Sequence, residues 1–158
     1  MNKKNRAAIS RFMDKHNTLT LATSSDGKPW AATVFFVSDK NLSLYFVSDH
    51  RTRHGRDMQK NARVVATVNP DCDNWHDVRG LQIDGTASIV TGLARAKALA
   101  LYLAKFPQID ALFASPKGEH EETIAERLKA TNIYRINPGW IRFIDNSKGF
   151  GRAEEYQL

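Results

Sequence analysis

The stretch "LYFVSDHRTRHGRDMQKNARVVATV", residues 44–68, decides how the chain is read. It opens on an apolar, strand-like run that ends at Ser48. It then places three arginines and two histidines in the seven residues from His50 to Arg56. "TRHGRDMQKN" reads as a short helix ending near Asn61, and "RVVATVN" at 63–69 is strand again.

Upstream, "NRAAISRFMDKH" at 5–16 sets Ala8, Ile9, Phe12 and Met13 on one face at helical spacing. "TLTLATS" at 18–24 alternates Leu19 and Leu21 with threonines, and "SDGKP" at 25–29 is turn chemistry. "WAATVFFV" at 30–37 and "LSLYFVS" at 42–48 follow, joined by "SDKN", so the first third is a meander of three short strands.

Downstream, "PDCDNWHD" at 70–77 reads as a loop. In the long strand "VRGLQIDGTASIV" at 78–90, Gly80 and Gly85 signal a bulge or a close approach by another group. Thr91 is placed to cap a helix at 93–106, which Pro107 should stop. Residues 109–118 read as irregular and 119–130 as a polar helix, with acids early and bases late. Two closing strands, "TNIYRI" and "GWIRFID", are split by a turn at Asn137-Pro138-Gly139, and 146–158 reads as an irregular tail. The expected architecture is mainly β with peripheral helices. Six to seven antiparallel strands close toward a barrel in one domain over 1–158.

A net charge of +6 favours anionic partners without saying which kind. One cysteine, Cys72, excludes an internal disulfide and fits a reducing compartment. "MNKKNR" lacks a following apolar region, and "LARAKALALYLAKF" is too short and too charged to span a bilayer. These features predict a cytoplasmic protein with no membrane partner. Asp71, Cys72, Asp73, His76 and Asp77 gather in one loop, yet no paired Cys or His spacing supports zinc and the marks of a calcium loop are missing. No metal is expected. "GEHEET" at 118–123 lacks the second histidine of a zinc-protease helix, and neither a Gly-rich phosphate loop nor a nucleophile elbow is visible. No catalytic residue is assigned.

The basic cluster is the informative site. Ser48 ends a strand, Thr52 stands where a helix begins, and Arg51, Arg53, His54 and Arg56 surround that start. Free N–H groups, hydroxyls and guanidinium forks together suit a phosphate. The cluster is compact rather than a stripe, and no nucleic-acid-binding signature accompanies it, so a single phosphate group fits better than a polynucleotide backbone. Phe35, Phe36, Tyr45 and Phe46 read as core. Trp30, Trp75 and Trp140 lie near strand or loop ends, where core or dimer packing is the ordinary use.

In order, "DGKPWAATVFFV", the 44–68 stretch, "VRGLQIDGTASIV" and "YRINPGWIRFID" resemble the pyridoxamine 5′-phosphate oxidase-like family of FMN-binding split β-barrels. The likeness runs from about Thr18 to Asp145. It implies an FMN cofactor whose phosphate meets Arg53, with His54 where the family usually has Lys, and with Ser48 and Thr52 as hydroxyl ligands. It further implies that Thr33, Val34 and Phe35 run beside the isoalloxazine ring, and that a homodimer encloses the flavin with Gln82 supplied by the second subunit. The implied activity is flavin-mediated hydride transfer to or from a small molecule. The family's C-terminal Arg-Leu-x-Pro segment is absent and Ile144 stands where a flavin-contacting Trp is usual, so pyridoxine phosphate is not the expected substrate. The alternatives are a barrel that binds haem or a deazaflavin, or a non-enzymatic flavin-binding module.

Overall fold

A computed structural model of the chain describes residues 1–115, 117–119, 121–123, 126 and 131–158, without the side chains at 110 and 113. Its centre is a seven-stranded antiparallel sheet: β1 (Thr18–Ser25), β2 (Lys28–Ser38), β3 (Leu44–Ser48), β4 (Arg63–Val68), β5 (Arg79–Ile89), β6 (Asn132–Asp145) and β7 (Ala153–Gln157). The order is β3-β2-β1-β4-β5-β6-β7, and β3 also pairs with β6. That last pairing closes the first six strands into a barrel and leaves β7 as an added outer strand.

Period-two patterning sets the two faces of this wall. Leu19 and Leu21 of β1, Val64, Ala66 and Val68 of β4, and Leu81 and Ile83 of β5 fill the interior. Between them Thr18, Thr20, Val65, Thr67 and Gln82 face outward and are exposed. The β1–β2 hairpin turns through Asp26 and Gly27, both at positive φ (54° and 72°), as the Asp-Gly pair predicts.

Helix α1 (Lys3–Lys15) buries Ile9 and Met13 completely in the barrel core, and Phe12 packs beside them against Phe143. Helix α2 (Arg53–Lys60) lies against β1 and sends Met58 into the same core. Its buried Asp57 accepts a 2.9 Å hydrogen bond from the equally buried Thr23 hydroxyl. Helix α3 (Gly92–Lys105) covers part of the outer wall, where Tyr102 and Phe106 pack on Val37, Tyr45 and Val47.

Several expectations are corrected. Asn137-Pro138-Gly139 is no turn: β6 runs unbroken through it, and the irregularity is a β-bulge against Asp84 and Gly85. A Cβ on Gly85 would stand 2.5 Å from the Asn137 carbonyl oxygen, so the close approach expected there is made by the β6 backbone. Residues within 109–118 are not wholly irregular, because Pro107 opens a helix α4 (Pro107–Ala114) as well as following α3. The tail is not wholly irregular either, since Ala153–Gln157 form β7. Thr91 holds the cap position of α3 without a side-chain hydrogen bond to it. Most of the helix expected at 119–130 lies outside the described residues.

Candidate phosphate cradle and barrel face

The ladder between β2 and β3 stops at the pair Phe36–Phe46, whereas β3 stays paired to β6 as far as Ser48–Asn132. The barrel wall therefore splits beside the end of β3, and the chain turns there into α2. Continuing the β2–β3 register by two residues sets Ser48 level with Val34.

Three of the predicted residues converge at this split. The Ser48 hydroxyl lies 2.6 Å from His54 Nε2 and 3.5 Å from the Thr52 hydroxyl. Thr52 caps α2: its Oγ1 accepts from the Gly55 N–H (3.1 Å) and donates to the Asp49 carbonyl (2.7 Å). Among the first-turn N–H groups, those of Arg53 and His54 are left at the helix start. Gly55 is required by space, because a Cβ there would come within 2.7 Å of the Asp49 carbonyl oxygen and 2.8 Å of that of His50. A bulkier residue would push the turn off the helix and open the hydroxyl cluster.

Arg53 is exposed, with its guanidinium 4.4 Å above the Trp30 ring. Such a contact contributes about 0.5–1 kcal/mol at a surface site and holds the arginine beside the cluster. The neighbouring cations differ. Arg51 is taken up by Asp49 (2.6 Å), whose carboxyl is consequently held well below the usual carboxylate range, and Arg56 donates to the Arg51 carbonyl. Burial pushes the His54 imidazole below its ordinary pKa of 6.5, partly offset by Asp57. It therefore rests neutral at neutral pH, with Nε2 facing the Ser48 hydroxyl.

The other predicted residues are placed elsewhere. Thr33 and Phe35 point outward from β2 and Val34 points inward against the core. Phe35 meets Phe106 edge to face at 5.3 Å. Gln82 lies in the same cross-strand row as Thr33, through Thr20 and Thr67. Three strand spacings of about 4.8 Å separate Gln82 from Thr33, so one chain does not bring Gln82 to the cradle. Gln82 and Ile144 instead share a shallow cleft of about 260 Å³ with Thr67 and Gly80.

Sequence reasoning missed two residues here. Arg142 pairs with Gln82, continues the same outward row, and has a buried Nε with no hydrogen bond, 3.5 Å from Glu155. Alternation in "WIRFID" could have placed it. Asp57, which anchors α2 to β1 through Thr23, gave no signal beyond being an acid in a basic run.

Comparison with known proteins agrees with the barrel fold. The family model described as "Pyridoxamine 5'-phosphate oxidase" matches residues 6–145. A UPF0306 protein of Klebsiella pneumoniae (strain 342) is 30% identical over 147 residues, covering 92% of this chain and 88% of its own. Among solved structures, a heme binding protein from Mycobacterium smegmatis superposes with a TM-score of 0.71 at 17% identity, over 99% of this chain and 60% of that one. The General Stress Protein 26 from Bacillus anthracis gives 0.64 at 20% identity, over 98% of both chains.

Proposed function

The chain belongs to the pyridoxamine 5′-phosphate oxidase family, and from that premise we propose that it is an FMN-binding oxidoreductase acting as a cytoplasmic homodimer, one domain per chain. The observation that carries this reading is the convergence of Ser48, Thr52 and His54 at the start of α2, with Arg53 held alongside by Trp30. The Ser48 hydroxyl, the Arg53 guanidinium and the N–H groups of a helix start form a donor set that fits one phosphate, with Thr52 fixing the turn as its cap and the His54 imidazole backing Ser48.

In this reading Arg53 supplies the permanent charge, the Ser48 hydroxyl and the helix-start N–H groups orient the phosphate oxygens, and Thr52 holds the turn that presents them. Thr33 and Phe35 offer a strand backbone along which a planar ring can lie, and Phe106 keeps Phe35 in place. A second copy would bring its own Gln82 and Ile144 to the ring's other side, since one chain holds them apart from the cradle. Bound FMN supplies hydride exchange at N5, and the protein contributes orientation and exclusion of water. The substrate is a small molecule other than pyridoxine phosphate.

The test is the absorption spectrum of freshly purified protein, followed by FMN titration. A flavin spectrum, or saturable uptake of FMN, is expected. Arg53→Ala should weaken FMN binding by about 1.5–3 kcal/mol, the worth of a charge-assisted hydrogen bond. Colourless protein that takes up no FMN overturns the reading. A Soret band would favour haem instead, as the mycobacterial relative's description suggests.

A further inference from the structure

We propose that the cleft between α1, the end of β6 and β7 is a second anion site, which takes a small phosphorylated molecule of nucleotide size. The cleft encloses about 530 Å³ and shares no residue with the cradle at Ser48. It is built from a stripe of α1, Lys4, Ala8 and Arg11, facing Phe143 of β6 and Tyr156 of β7, with Arg152 on the far rim. Phe143 alternates along β6 with Arg142 and Ile144, so the cleft lies across the strand from the Gln82 row.

Its charges are unbalanced. Lys4, Arg11, Lys148 and Arg152 face only Asp145 and Glu154. Asp145 is buried and already committed to Arg79 at 2.8 Å, Ser147 at 2.6 Å and Lys148 at 3.2 Å. Glu154 accepts the Tyr156 hydroxyl hydrogen bond. Among the described residues, the side chains of Lys4, Arg11 and Arg152 are left without an ion pair.

The placement runs against helix electrostatics. The first turn of α1 holds no acid and carries Lys3 and Lys4, although the positive end of the dipole favours anions. Three cations without an ion pair and a helix start thus line one cleft, an arrangement that favours an entering anion. Two guanidinium groups suit phosphate oxygens, and Phe143 and Tyr156 add apolar ring surface to the lining.

Calorimetric titration with ADP, with adenosine as the uncharged control, tests this. One ADP per chain is expected, with adenosine at least tenfold weaker. In the double variant Arg11→Gln/Arg152→Gln, ADP affinity should fall at least tenfold, while Arg53→Ala leaves it within twofold. Both altered side chains are exposed, and an unchanged melting temperature shows the variant is folded. The proposal is overturned if ADP does not bind below about 1 mM, the edge of specific affinity. It is also overturned if Arg53→Ala abolishes binding, which would seat the phosphate at α2. Equal loss in a Lys28→Gln/Lys97→Gln control would reduce the effect to net charge and overturn it as well. The outcome does not depend on the flavin reading.

Discussion

His54 stands where a lysine would give permanent charge, and its environment makes the consequence specific. Burial lowers its pKa below 6.5 in the free protein, whereas a bound phosphate would raise it. Binding is then coupled to proton uptake. Affinity is highest below the free-state pKa and falls as pH climbs through the bound-state pKa. The second ionisation of the phosphate, near about 6, acts in the opposite direction. The comparison that isolates the histidine is therefore the ratio of FMN affinity in wild type to that in His54→Lys. That ratio should fall steadily from about pH 5.5 to about pH 8, and a flat ratio would remove His54 from the phosphate site. The same shift bears on stability. With the folded pKa depressed, the unfolded chain binds more protons, so this contribution is present above pH 6.5 and is lost as pH falls through the folded value. Chemical denaturation of His54→Gln should show a smaller loss over that window.

Most elements were legible because their signals are local. Alternating Leu19 and Leu21 or Val64, Ala66 and Val68 identify strands whatever they pack against, and the Asp26–Gly27 turn needs only its own φ angles. The misreadings share a cause of the opposite kind. Pro138 and Gly139 signal a turn locally, but the ladder with β5, flanked on the other edge by β3 up to Ile136 and β7 from Trp140, carries β6 straight through them. β7 likewise has no core-forming pattern of its own and is a strand because β6 offers an edge. Lys105 is another case. On sequence it is a basic residue ending α3, yet its ammonium reaches α1 and donates to the carbonyls of Met13 (3.2 Å) and His16 (2.7 Å), lying 4.5 Å from the Phe36 ring. It thereby ties the end of one helix to another 89 residues away. Lys105→Met keeps the stem and loses these charged hydrogen bonds, and should cost about 1.5–3 kcal/mol in urea denaturation. A cost under about 0.5 kcal/mol, the level of an ordinary surface substitution, would show the contact is incidental.

At the scale of the molecule, the outer wall is unevenly covered. Helix α3 buries Val37 on the β2–β3 side, but Thr18, Thr20, Thr33, Val65 and Thr67 remain exposed, with Val65 half open to solvent at 51% and Phe35 at 49%. The Thr18–Thr20–Thr33–Thr67 part of this surface is small, β-branched and uncharged, with the Arg63–Asp84 pair at its margin beside Val65, which fits close approach by another sheet better than a solvated face. A second copy of the chain is its proposed occupant. The cradle at α2 and the Gln82 row belong to one site only if a second copy lays its row against this wall, so dimer formation and flavin binding should fail together. Val65→Arg puts a long charged side chain onto this wall, beside the Arg63–Asp84 pair, while leaving the inward core residues untouched. By sedimentation velocity the wild type should be a dimer and the variant a monomer with an unchanged far-ultraviolet circular dichroism spectrum. FMN affinity of that monomer should drop at least as far as for Arg53→Ala, because half of the ring contacts are removed with the partner. A monomeric variant that still binds FMN with wild-type affinity would show that one chain suffices, and that Gln82 has no part in the site.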